Sequence, residues 1–262
     1  MSVSPKLEQK TMVTPSNRVV ILGALSAIAI ATARIYASEG AALVLAARNS
    51  ERLKGLADDL RARGAVQVET AALDLETASS DAAAHLARWA QQLGGLDHVL
   101  VIYGYLGAQD KASNDAGELA RILSSNFTSA VAWCEAAAGM MRAQKRGSIV
   151  AVSSVAGDRG RQSNYAYGAA KGGLALYMQG LAHSLAAVGA RAVAVKPGFV
   201  DTPMTDGLKK GGPLWAKPEA IGEAIRRAAD RGGPIQYAPG LWRLIMLVIR
   251  TVPAFVFHKT KL

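Results

Sequence analysis

The stretch Asn17–Asn49, NRVVILGALSAIAIATARIYASEGAALVLAARN, decides the fold. Arg18–Gly23 is a short β-rich run that ends in glycine. Ala27–Glu39 reads as a helix closed by Gly40, and Ala41–Arg48 as a second apolar strand. Neither strand has a polar face, as expected for strands covered on both sides.

The same grammar continues along the chain. Ser50–Arg63 has helical spacing and stops at Gly64, and VQVETAALDL is a third strand ending near Asp74. Ser80–Gln92 is a helix, Asp97–Ile102 a fourth strand, and Leu119–Met141 a long helical run. Ser148–Ser154 is a fifth strand, Tyr165–Val188 a helix, and Arg191–Gly198 a sixth strand. This alternation predicts one α/β domain, a doubly wound, Rossmann-like parallel sheet with helices on both faces. It spans 17–240, between a loose extension over 1–16 and a basic, apolar segment over 241–262.

Composition agrees with this reading. The chain has 262 residues, half of them hydrophobic, enough for one large core. Cys134 is the only cysteine, which excludes an intrachain disulfide; in its apolar helix it reads as a buried hydrophobe. The N-terminus lacks the apolar run of a signal peptide, and no stretch reaches the roughly 20 apolar residues of a spanning helix. A cytoplasmic protein, peripheral at the inner membrane face at most, is expected. The net charge of +10 raises nucleic acid, anionic lipid or phosphorylated substrates as partners. No basic run carries interleaved stacking aromatics, so nucleic acid is set aside. No cluster suggests a metal.

The turn after the first strand sits where dinucleotide phosphates bind. Such turns carry three glycines: one for the turn, one for close backbone approach and one for helix packing. Gly23 supplies the turn, and Ala27 and Ala29 stand in the other two places. Phosphate can still meet the N–H groups of Ala27 and Ile28 at the helix start, with the Ser26 hydroxyl as a further donor. The second strand ends Ala46-Ala47-Arg48-Asn49 without the acid that grips the ribose of NAD. Arg48 suits the 2′-phosphate of NADP(H), with NAD(H) as the alternative cofactor; a solvated arginine is the plainer reading. Asp74 is placed either to reach an adenine amino group or to cap a helix.

The chemistry concentrates in SSVAGDRGRQSNYAYGAAKGG, Ser153–Gly173. Tyr167 and Lys171 are four residues apart and share one helix face. A lysine cation near the phenol is expected to lower its pKa and make it an acid/base. Ser154 leaves a strand end, where its hydroxyl can hold a carbonyl oxygen as that oxygen gains charge. Asn126 can hold a proton-relaying water. Tyr165 reads as a pocket residue and Tyr177 as packing.

These residues resemble the short-chain dehydrogenase/reductase family. The match is Tyr167-xxx-Lys171 with Ser154 thirteen residues before the tyrosine, Asn126 in its helix, and the Pro-Gly turn of KPGFVDTPM, Lys196–Met204. The resemblance implies that Pro197, Gly198, Val200 and Thr202 flank a nicotinamide, that Lys171 holds its ribose, and that the protein is a homo-oligomer. It departs after the fourth strand, where Ile102-Tyr103-Gly104-Tyr105 replaces the family's Asn-Asn-Ala-Gly. Within the family the chain resembles the clade of the decaprenylphosphoryl-2-keto-ribose reductase, above all from Met141 onward. That implies a polyprenylphosphoryl 2-keto sugar made by a partner oxidase and reduced to its epimeric alcohol. A soluble ketone such as an oxoacyl thioester or free keto sugar is the rival substrate, and a non-catalytic nucleotide-binding module the rival class.

The tail adds a physical hint. After Asp230 there is no acidic residue. Over 241–249 a helix sets Trp242, Ile245, Met246 and Ile249 on one face and Arg243, with Arg250, on another. It can lid the cleft, lie in the membrane interface, or both. Lys209 and Lys210 are candidate phosphate contacts.

Overall fold

The computed structural model describes residues 14–206 and 211–260. Most of the N-terminal extension, together with Lys209 and Lys210, lies outside the described residues. In chain order the elements are β1 (Arg18–Leu22), α1 (Ala27–Ser38), β2 (Ala42–Ala47), α2 (Ser50–Ala62), β3 (Gln67–Ala72), α3 (Ala82–Leu93) and β4 (His98–Val101). Then come α4 (Gln109–Ala112), α5 (Ala116–Leu123), α6 (Ser129–Gln144), β5 (Ser148–Val152), α7 (Tyr165–Ala186) and β6 (Arg191–Pro197). The chain continues through β7 (Phe199–Val200), β8 (Trp215–Ala216), α8 (Pro218–Arg231), β9 (Ile235–Ala238), α9 (Leu241–Thr251) and α10 (Ala254–Phe257).

Seven parallel strands form the main sheet in the order β3-β2-β1-β4-β5-β6-β9. The pairing aligns Val20 with Val44 on one side and Leu22 with Val101 on the other. Each strand alternates between two cores. Val19 and Ile21 face α1, α2 and α8 with Tyr36, Leu53 and Ile225. Val20 and Leu22 face α3, α6 and α7 with Leu86, Trp133 and Met178. Two buried faces explain why the strands read as unbroken apolar runs. The strand order reverses between β1 and β4, and there the carboxyl ends of the strands open a crevice.

Three features differ from the sequence reading. The long run over 119–141 is not one α-helix: a π-helical turn, Ser124–Thr128, separates α5 from α6. The short helix α4, the strand pair β7 and β8, the helix α8 and the edge strand β9 were not read from the sequence. Short β9 has no strong period of its own, and its pairing with β6 defines it. Finally, α9 presents the face of Trp242 and Met246 to the body, where both are buried with Val155 beneath Phe199 and Tyr237. The apolar residues left exposed are instead Leu241, Leu244, Leu247 and Val248, with Phe255 beyond the helix. No helix among the described residues is long and apolar enough to cross a membrane.

Candidate active site

A cleft of about 610 Å³ runs along the carboxyl ends of the strands. Its β1 end is built by a turn that only glycine makes cheaply. Gly23 has φ +84°, and a Cβ there would lie 2.6 Å from Tyr103 Cβ and 2.8 Å from the Ile102 carbonyl oxygen. Ser26 caps α1 by accepting the Ala29 N–H at 3.2 Å, and it donates its own proton to the Ile102 carbonyl at 3.0 Å. Its hydroxyl is therefore committed to the protein rather than offered to a ligand. The first intrahelical bond is Ile30 N–H to Ser26 O. The N–H groups of Ala27 and Ile28, which line the cleft, are left for an anion.

Arg48 lines the far end of the cleft with Asn49 and Arg52. Asp74 lies there too, its Oδ1 accepting the N–H groups of Glu76 (2.9 Å) and Thr77 (3.2 Å) in the turn after β3. Its Oδ2 is 3.9 Å from Arg48 Nη1. Both groups are exposed, so this pair holds the arginine weakly.

At the other end, Ser154 and Tyr167 meet because the loop after β5 lies directly on α7. A Cβ on Gly157 would sit 2.5 Å from Gly172 N, so this approach needs the glycine. Ser154 Oγ accepts the Ala156 N–H at 3.1 Å. Burial pushes the Tyr167 hydroxyl up to about 12, and the neighbouring Ser154 hydroxyl opposes that rise. Burial brings the Lys171 amine down to about 8. Its Nζ donates to the Val152 carbonyl at 2.9 Å and is 6.0 Å from the Tyr167 ring centre. The expected lowering of the tyrosine pKa by the lysine is thus not found: desolvation outweighs a charge at that distance.

Asn126 does not line the cleft. It is fully buried behind it, in the π-helical turn. Its amide donates to the Tyr105 and Ile122 carbonyls and accepts the Tyr105 N–H at 3.1 Å. It therefore ties down the loop in which Tyr103, Gly104 and Tyr105 replace the usual asparagines. Tyr165 also lies outside the cleft, half-exposed and hydrogen-bonded to Ser113 at 2.9 Å. Tyr177 packs against the α6 side, its hydroxyl donating to Glu135.

Pro197, Gly198, Val200 and Thr202 form one wall. Behind it, a Cβ on Gly198 would lie 1.9 Å from the Trp242 ring, so α9 sits directly on this turn. Arg159 anchors the end of α9 by donating to the Ile249 and Val252 carbonyls, both at 2.6 Å, and to the Arg250 carbonyl at 3.3 Å. Beneath, Asp158 accepts from Lys196 and, at 2.7 Å, from the Tyr237 hydroxyl. The sequence reading missed Arg161 and Asn164, which also line the cleft. Both sit inside the quoted catalytic stretch, but nothing in their spacing sets them apart from a polar loop.

Comparison with known proteins bears on the family and the fold. The family described as short chain dehydrogenase matches residues 17–212. An uncharacterized oxidoreductase of Mycobacterium tuberculosis is 37% identical over 244 residues, 92% of this chain and 96% of that protein. The crystal structure of gox2181 superposes with a TM-score of 0.78 at 22% identity, covering 87% of this chain and 96% of that one. An actinorhodin polyketide ketoreductase solved with NADPH gives 0.75 at 22% identity, covering 85% and 95%. With the family pattern spread over three quarters of its length and a relative matched nearly end to end, this chain belongs to the short-chain dehydrogenase family of oxidoreductases.

Proposed function

We propose that the protein is an NADP(H)-dependent ketoreductase whose substrate is a polyprenylphosphoryl 2-keto sugar, reduced to the epimeric alcohol. The observation that carries the reading is the convergence of Ser154, Tyr167 and Lys171 on one end of a cleft whose other end offers Gly23, two helix N–H groups and Arg48. These residues fit a dinucleotide: the turn leaves no room for a Cβ, the N–H groups of Ala27 and Ile28 would hold the pyrophosphate, and Arg48 would hold the 2′-phosphate. Asp74 would lie at the adenine end, and Pro197, Gly198, Val200 and Thr202 would flank the nicotinamide. A bound nicotinamide supplies the hydride. Ser154 donates a hydrogen bond to the substrate carbonyl, and Tyr167 gives its proton to that oxygen as charge develops. A phenol held near 12 is fully protonated at neutral pH, which suits reduction. Lys171, charged below about 8, stabilises the phenolate left behind.

The lipid-linked substrate is supported by the surface of α9. Beside the cleft, Leu244, Leu247 and Val248 stay exposed with Arg243 and Arg250, a composition that suits an anionic membrane surface. The test is oxidation of NADPH and NADH with a polyprenylphosphoryl 2-keto pentose, alongside sedimentation with anionic vesicles. Turnover with NADPH and binding to vesicles are expected. In Arg48→Gln the NADPH preference should fall on the order of tenfold. Turnover of soluble ketones alone, without vesicle binding, would reject the lipid substrate.

A further inference from the structure

The substrate end of the cleft holds a guanidinium that no carboxylate among the described residues bonds directly. Arg161 lines the cleft, and its Nε–H is buried with no hydrogen-bond partner. Among the described residues the guanidinium otherwise meets the sulfur of Met246 on α9, 3.7 Å from Nη2, a weak acceptor. The nearby carboxylate, Asp158, is taken up by Lys196 and Tyr237. Three residues on, Asn164 also lines the cleft, and its Oδ1 is buried and unpartnered. It begins α7 without capping it. Among the described lining residues the carboxylates are Asp74 and Glu76. Asp74 caps the turn after β3, and Glu76 accepts from Ser125. Orphaned donors and acceptors at this depth are rare, because each forfeits hydration without return.

We propose that Arg161 and Asn164 form a subsite for a hydroxylated oxyanion: the guanidinium takes the anionic group of the substrate, and Asn164 Oδ1 accepts a hydroxyl proton beside it. This rests on the ketoreductase reading for its place next to Tyr167. The pairing is complementary: a carbon skeleton bearing both a phosphate and a free hydroxyl satisfies both orphans at once, whereas a neutral ketone leaves the cation uncompensated. Met246 lies against the guanidinium, so α9 contributes to the shape of the subsite.

Two measurements test this on the full chain. First, phenyl phosphate is titrated calorimetrically into the NADPH-saturated protein, with benzyl alcohol as the neutral control. The wild type is expected to bind the phosphate, and Arg161→Gln to bind it at least about tenfold more weakly. Asn164→Asp, which keeps the arginine and adds a negative charge, should weaken it as well; it stands in if Arg161→Gln fails to fold. Second, turnover of dihydroxyacetone phosphate is compared with that of dihydroxyacetone. The phosphate-over-neutral preference in kcat/KM should collapse in both variants, chiefly through KM. Equal phosphate affinity in wild type and variants overturns the proposal, as does a defect confined to NADPH affinity, which would assign Arg161 to the cofactor. Phosphate binding lost in the variants, with no ketone turned over by the wild type, removes the ketoreductase reading and upholds the anion subsite. Turnover without phosphate preference does the reverse.

Discussion

Tyr167 and Lys171 show how one buried position sets chemistry and stability against each other. Tyr167→Phe removes the proton donor but not the ring; kcat for ketone reduction should fall about 10²–10⁴-fold, while fluorescence titration finds cofactor affinity kept. Lys171 titrates near 8 in the folded chain and near its ordinary 10.5 when unfolded. Two consequences follow from that difference. The reduction rate should be level below pH 8 and decline as pH rises through it, because the cation that stabilises the phenolate is lost while Tyr167 stays protonated. Stability should move the other way. Between 8 and 10.5 the unfolded chain binds more protons, so stability rises with pH there. At pH 7 the buried cation costs on the order of 3 kcal/mol. Lys171→Met is therefore expected to raise the melting temperature at pH 7, a gain that shrinks toward pH 10.5, and to abolish turnover. Calorimetric scans at the two pH values check both the sign and the window.

At the level of elements, the β1–α1 turn and the inner ends of β4 and β5 carry the fold's exacting positions. Gly23→Ala puts a Cβ into the Tyr103 side chain in a left-handed conformation. It is expected to destabilise by about 1–3 kcal/mol in urea unfolding and to weaken nucleotide binding. His98, at the start of β4, is buried between Ser148 Oγ at 2.8 Å and Asn17 Oδ1 at 3.0 Å. Burial holds its pKa down at about 4, against the opposing pull of Asp230 and Asp97. Its contribution is whole above the ordinary 6.5 and is lost as pH falls toward 4, on the order of 3 kcal/mol in all. Urea midpoints at pH 7 and pH 5 should differ accordingly, and His98→Asn should flatten the difference. The six strands β1 to β6 and the helices α1, α2, α3 and α7 were legible because each is a local pattern bounded by glycine or a cap. The π-helical turn was not: its signal is one asparagine whose amide is satisfied by a loop some 20 residues away.

Across the whole molecule, the C-terminal helix joins the active-site wall. Trp242 fills the space over Gly198, and Arg159 holds the helix end through three carbonyls. Trp242→Ala should cost about 3–5 kcal/mol, read by thermal unfolding, and raise the KM for cofactor by loosening the Pro197–Gly198 turn. A chain ending at Gly240 should show the same loss more severely. The amino-acid sequence by itself determined the alternation of strands and helices, the glycine turn after β1 and the shared face of Tyr167 and Lys171, because strand and helix periods, a glycine turn and an i, i+4 spacing are local facts. Only the tertiary structure decided which apolar face of α9 is buried, that Ser26 spends its hydroxyl on Ile102, and that Arg161 lines the cleft with no carboxylate bonded to it among the described residues. Apolar burial is non-directional, so a helix with two apolar faces reads alike on both until a partner surface covers one. Likewise a hydroxyl or guanidinium has no assigned partner until residues far away in the chain arrive beside it.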